Sequence, residues 1–168
     1  MERFQELREQ AKKKTQVADH MLTMTYPLVQ DSKLLLAIMQ NIFLALTYAV
    51  GSILHYERVF KKIPPFQDNF SSKFNMFRAK IVDKYKINSD YVDFIQDVKD
   101  IILQHKQSPV EFVRKDRFVI CSDDYKMKTI SIENMREYLN KTKSFIALAS
   151  TIVSKNEEIF KKKEIKFI

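Results

Sequence analysis

Along the first segment, roughly Glu2 to Val29, the residues Phe4, Leu7, Ala11, Ala18, Met21, Thr25 and Leu28 recur at three- and four-residue steps. That spacing predicts a helix with a modest apolar stripe. Pro27 is expected to kink or end it, and Asp31 or Ser32 to cap the next one. A second helix is predicted from about Ser32 to Lys62, stopping before Pro64-Pro65, with Phe66 to Asn69 as loop. Asp68 or Asn69 caps a third, whose Phe70, Phe74, Phe77 and Ile81 form an i, i+4, i+7, i+11 stripe ending near Lys86. Asn88-Ser89-Asp90 restarts a fourth, with Tyr91, Ile95, Val98, Ile102 and His105 on one face, so that the pair reads as a helical hairpin.

Around Pro109 the pattern changes from helical to alternating. Glu111 to Cys121 and Tyr125 to Ile130, rich in β-branched and aromatic residues, flank Ser122-Asp123-Asp124 and predict a small β-hairpin over about 111–130. Ser131 then caps a long last helix, with Glu133 near its positive end and Ile132, Met135, Leu139, Ile146, Ala149 and Val153 on its core face. The basic tail 161–168, KKKEIKFI, is expected to fray. The expected architecture is a single domain over 1–168, mainly α: an antiparallel helical bundle of about five helices with a small β-hairpin before the last helix.

The second helix carries the most informative stretch. From Leu34 to Leu54 no side chain is charged, and roughly 20 such residues are what a bilayer span requires. At about 100° per residue, however, Lys33, Gln40, Asn41, Thr47, Tyr48, Gly51, Ser52, His55 and Arg58 fall within an arc of roughly 140°. Leu35, Ile38, Met39, Ile42, Phe43, Leu46, Val50 and Ile53 occupy the other side. This two-sidedness describes a core helix rather than a lipid-facing span, so no membrane span is expected. Its uncharged polar face, with Gln40, Asn41, Tyr48, His55 and Arg58 as candidate groove residues, fits an internal hydrogen-bond network, a homodimer seam or a ligand-facing groove. Gly51 would let a ligand or a second backbone approach closely.

Composition narrows the chemistry. One glycine in 168 residues excludes the glycine-rich loops that cradle phosphates. Three histidines, His20, His55 and His105, lack the spacings that place a metal pair on one helix, so no metal and no cofactor is expected. One cysteine, Cys121, forbids an intrachain disulfide and suits a reducing, cytoplasmic setting. The first 14 residues lack the apolar core of a signal peptide. If the first two helices form a hairpin about Gln30, Asp19-His20 comes near Gln40 to Leu44, and Glu6 to Glu9 near His55 and Arg58. His20, His55 and Arg58 are then the catalytic candidates, and surface salt bridges account for the same residues.

The net charge of +8 is compatible with RNA, DNA or anionic lipid, and also with a merely soluble lysine-rich surface. The hairpin gathers Arg114, Lys115, Arg117, Lys126 and Lys128 with Phe112, Phe118 and Tyr125 interleaved, a pattern that suits nucleic-acid contact. An ordinary amphipathic hairpin packed on helices reads the same way. The order of elements, two long and two short helices before a last long one, resembles HEPN domains across roughly residues 1–160. Those are small all-α bundles, many of them RNases or partners of minimal nucleotidyltransferases. Active members share Arg followed four to six residues later by His; no arginine here has that spacing, and His55-Tyr56-Glu57-Arg58 holds the two types in reverse order. The resemblance therefore implies a catalytically silent member. The function expected is a non-catalytic binding or assembly module engaging RNA or a protein partner through a basic surface. The alternative is a HEPN-like ribonuclease or nucleotidyltransferase partner working between the first two helices.

Overall fold

The computed structural model describes residues 1–108 and 110–157. The chain runs through α1 (Arg3–His20), a π-helical turn (Met21–Thr25), α2 (Tyr26–Val29), α3 (Lys33–Val59), α4 (Phe70–Met76), a second π-helical turn (Phe77–Ile81) and α5 (Ser89–Gln107). Strands β1 (Val110–Arg114), β2 (Arg117–Cys121) and β3 (Met127–Ser131) follow, and then α6 (Ile132–Ser154). The fold is mainly helical with a small sheet before its last helix. The tail 161–168, with Lys161-Lys162-Lys163, lies outside the described residues.

The expected two-stranded hairpin is a three-stranded antiparallel sheet in the order β1-β2-β3. Glu111 to Cys121, continuous as a sequence pattern, folds back at Lys115-Asp116, where Lys115 takes φ 56°. Of the residues that normally mark a turn it carries only Asp116, and the left-handed position falls to Lys115 instead. Ser32 Oγ donates to the Lys115 carbonyl (3.3 Å), which fastens the turn to the residue preceding α3.

α1 and α3 lie antiparallel. Asn41 Nδ2 is 3.7 Å from Met21 Sδ at one end, and Ser52 Oγ donates to the Phe4 carbonyl (2.9 Å) at the other. Gln30, with φ 52°, closes the connection and donates its amide to the Tyr26 carbonyl (2.7 Å). Pro27 stands in the first turn of α2, and the helical run continues past it to Val29, the missing amide proton being accommodated by the π-helical turn before it. The Tyr26 amide reaches back to the Met21 carbonyl, so the wide turn sits just upstream of the proline. Three predicted caps are present: the side chains of Asn69, Asn88 and Ser131 accept from the amides of Ser72, Asp90 and Asn134 (2.9, 2.9 and 3.2 Å).

α3 sits at the centre, with Leu35, Ile38, Met39, Ile42, Leu46 and Ile53 fully buried. α1 covers it with Phe4, Leu7 and Ala11, the α4–α5 region with Phe74, Phe77, Ile81 and Ile95, the sheet with Phe118, Ile120 and Ile130, and α6 with Met135 and Phe145. Among the described residues α3 is the one helix long and apolar enough to cross a membrane by length and composition, and half of its most apolar 18-residue window is buried in the fold. Its C-terminus closes with two reciprocal bonds, Lys61 amide to Arg58 carbonyl and Lys62 amide to Glu57 carbonyl, both 3.0 Å. This is the Schellman arrangement, in which the left-handed position usually falls to glycine. Here Lys61 holds it at φ 55°. The segment after the second π-helical turn ends in the same way, with Lys86 at φ 52° and the Ile87 amide donating to the Val82 carbonyl (2.9 Å).

Candidate nucleic-acid interface and a buried carboxylate

The uncharged polar arc of α3 is largely satisfied within the chain. Asn41 Nδ2 donates to the Ala37 carbonyl (2.9 Å) and Thr47 Oγ1 to the Phe43 carbonyl (2.8 Å), both one turn back on the same helix. Gln40 is exposed and Tyr48 half-buried against the core. His55 is half-buried with its ring edge against Phe66, centroids 5.2 Å apart. Burial first, then the charges of Lys73 and Arg3, hold the His55 pKa below its ordinary value, with Asp68 opposing. Arg58 donates to the Ile63 carbonyl (3.3 Å). These five residues thus meet five different surroundings along the helix. Gly51 faces the side chains of Leu7 and Lys73, and a Cβ built on it meets Leu7 Cδ1 at 3.4 Å, ordinary contact. The close backbone or ligand approach expected at this glycine is replaced by side-chain packing.

The hairpin of α1 and α3 about Gln30 brings Met21 beside Asn41, so His20 belongs to one end of the pair and His55 with Arg58 to the other. The 14 residues from Asn41 to His55 span about 21 Å of helix, which separates the two histidines beyond any shared proton transfer.

One residue of this helix escapes the sequence reading. Glu57 is 1% exposed, on the apolar side of α3. Its carboxylate accepts from the Tyr85 hydroxyl and pairs with Lys84 Nζ. The Tyr85 ring has Lys84 Nζ at 5.4 Å and Lys155 Nζ at 5.2 Å from its centroid. Burial, and then the bond to Glu57, push the Tyr85 phenol well above its ordinary value. Next to Glu57, the Tyr56 hydroxyl accepts from Asn156 (2.9 Å), and Arg8 reaches Ser154 (3.2 Å) and Glu157 (2.9 Å). Among the described residues every buried side-chain nitrogen and oxygen has a partner. The arrangement ties the α3 C-terminus to the loop before α5 and to the end of α6, and its groups are engaged with one another.

The sheet presents a different chemistry. Alternation and register place Arg114, Arg117 and Ser131 in one row across the strands, Phe112, Val119 and Thr129 in the next, and Val110, Cys121 and Met127 in the third. All three rows lie on the face turned away from the core, since Phe118, Ile120 and Ile130, on the opposite face, are buried in it. Phe112, Arg114, Lys115, Asp116, Arg117, Val119, Met127 and Thr129 line a concavity of about 410 Å³. Phe112 is 42% exposed and Met127 67%. Of the expected contact residues, Arg114, Lys115 and Arg117 thus line one concavity with Phe112. Lys128 lies on the opposite face of β3, Lys126 pairs with Asp124 at 3.5 Å in the second turn, and Phe118 belongs to the core. His105 pairs with Glu111 and holds the edge strand β1 to the end of α5.

A second concavity, about 790 Å³, opens between α1 and α6, with Thr15, Ile146, Ala147, Ser150 and Thr151 along it and Lys12, Lys143 and Lys155 at its margins. Lys12 and Lys143 are also paired with Glu9 (3.7 Å) and Asp19 (3.2 Å). Among the described residues no group of three or more His, Cys, Asp or Glu side chains is arranged to hold a metal ion. No protein-family model matches the chain, and no curated protein matches it in sequence.

Proposed function

We propose that this chain is a non-catalytic helical-bundle binding module that engages RNA through the outward face of its sheet. The observation that carries this reading is that Arg114, Lys115 and Arg117 line one concavity with the exposed Phe112. Cations supply the sequence-independent attraction to phosphates, and an exposed aromatic supplies a surface for bases. Among the described residues neither arginine has an ion-pair partner, so both are available to an anion. In this reading α3 is the core helix of a cytoplasmic protein, supported by its buried face. Binding is favoured over the HEPN-like ribonuclease alternative because Arg58 is bonded to the Ile63 carbonyl and the His55 ring packs edge-on against Phe66.

The test is fluorescence anisotropy of a labelled RNA over a salt series, with Arg114→Glu and Arg117→Glu. Each lost phosphate contact is expected to lower the slope of log K against log salt by about 0.7 for a single strand. Unchanged affinity and slope in both variants would remove the sheet as the contact. A second reading, capture of a protein partner, is favoured by the α1–α6 concavity, whose small uncharged residues would admit a helix. It predicts a complex lost on Ala147→Arg and untouched by the arginine reversals.

A further inference from the structure

Resting on the RNA-binding reading above, we infer that the sheet face takes single strands and discriminates against duplexes, with one base stacked on Phe112 and its phosphates held at the Lys115 turn. The distribution of charge and apolar surface over the face is uneven, and that unevenness carries the inference. Cations occupy only the row at the β1–β2 turn, Arg114 and Arg117, with Lys115 in the turn itself. Asp116, in the same turn, offsets one of those three charges. The next row is Phe112, Val119 and Thr129, and the last is Val110, Cys121 and Met127. Moving away from the turn, the face becomes uncharged and apolar, with Val110 53% and Met127 67% exposed, and in the turn at its far end the one lysine, Lys126, is paired with Asp124.

A duplex presents phosphates outward and hides its base faces in the stack. Docked here, it would engage the turn and set its second run of phosphates against Phe112 and Met127, which offer neither charge nor hydrogen bond. A single strand presents both kinds of group together. Phe112 and Arg114 are two residues apart on β1, about 7 Å along the strand, so a base and its own phosphate reach both at once. Val119, 5% exposed, forms the floor beside the ring, and the concavity of about 410 Å³ admits a base without displacing the core residues behind the sheet. The Ser32 bond to the Lys115 carbonyl fixes the cationic turn relative to α3, so the spacing between phosphate and base positions is set before binding.

The experiment compares a labelled single-stranded RNA of about 12 nucleotides with the same sequence as a blunt duplex, at about 50 mM salt. The proteins are the full chain and its Phe112→Ala, Phe112→Trp and Arg117→Glu variants, each checked for an unchanged helical circular dichroism spectrum. The single strand is expected to bind more tightly than the duplex. Phe112→Ala should weaken the single strand about 5- to 150-fold, the equivalent of one lost base stack, leave the duplex unchanged, and be rescued by Phe112→Trp. Equal affinity for both RNAs, with Phe112→Ala silent and Arg117→Glu weakening both, overturns the single-strand inference and leaves the RNA-binding reading standing. Absence of binding to either RNA at this salt overturns both.

Discussion

Tyr85→Phe tests whether the buried carboxylate of Glu57 depends on its donors. The substitution removes one hydroxyl and keeps the ring, and with it the contacts of Lys84 and Lys155 on its faces. Glu57 is 1% exposed, so water cannot replace the lost donor, and Lys84 remains as its partner. A hydrogen bond to a charged group contributes about 1.5–3 kcal/mol, and that is the expected loss. With Glu57→Gln in place the same bond is neutral and contributes about 0.5–1.5 kcal/mol, so the double-mutant cycle should show a coupling of about 1 kcal/mol. Urea denaturation measures both: the midpoint should fall by about 1 M at constant slope. The pH dependence supplies an independent check. The folded-state phenol is held above its ordinary value, so the unfolded chain releases this proton first. Stability from this group is therefore complete below about pH 10 and is lost as pH rises beyond it. The difference in stability between parent and Tyr85→Phe should shrink above that point. A loss below about 0.5 kcal/mol in both backgrounds, with no alkaline narrowing, would refute the assignment.

Other consequences follow from backbone and packing. Lys61→Gly and Lys86→Gly should each stabilise by about 0.5–1 kcal/mol, because the left-handed conformation costs an L-residue about 1–2 kcal/mol and glycine gives part of this back as chain entropy. Thermal melting should show an increase of about 1–4 °C per site, and the matching alanine variants, which keep a Cβ, should show none. Gly51→Ala should add about 0.5–1 kcal/mol in urea titrations, since its Cβ meets only ordinary contacts; a loss would mean that α1 or Lys73 must move. The folded-state pKa of His55 is depressed, so its contribution is complete above about pH 6.5 and is lost as pH falls below that value toward the lower folded-state pKa, because the unfolded chain takes up the proton first. His55→Gln should flatten that part of a stability-against-pH curve, and an unchanged curve would show that the ring titrates alike in both states.

Much of the core was legible because periodicity reports a residue's own helix. Leu35, Ile38, Met39, Ile42, Leu46 and Ile53 lie on the apolar arc by angle and are buried. The same angles place Glu57 there, four residues beyond Ile53, seven beyond Val50 and eleven beyond Leu46. A carboxylate continuing an apolar stripe is itself a signal of a buried ion pair, and it is hidden only when charged residues are sorted to the surface by type. Its partners Lys84 and Tyr85 are 27 and 28 residues away, a distance that no local pattern spans. The turn at Lys115-Asp116 is illegible for a different reason. Turn signatures rest on residues that tolerate the left-handed region, and in this chain the described residues with positive φ are a glutamine, three lysines and a tyrosine.

The uncharged arc of α3 and the charged face of the sheet have linked explanations. A helix surrounded on most sides can retain polar residues without external partners when their side chains bond back to carbonyls one turn earlier, as Asn41 and Thr47 do. Charge on that arc would instead need a partner or water, and Glu57 shows what a buried charge here requires: a tyrosine and a lysine brought from another segment. The interior of this fold therefore consumes its polar groups, and the catalytic candidates on α3 are engaged in packing or in backbone bonds. Groups free to meet a ligand must lie on elements that contribute only one face to the core. The sheet is such an element. Phe118, Ile120 and Ile130 attach it to the helices, and alternation then forces Phe112, Arg114 and Arg117 outward. A one-residue shift of β2 against β1 would bury the arginine and expose the phenylalanine of the core. The register that stabilises the fold is thus the same one that assembles the proposed binding face.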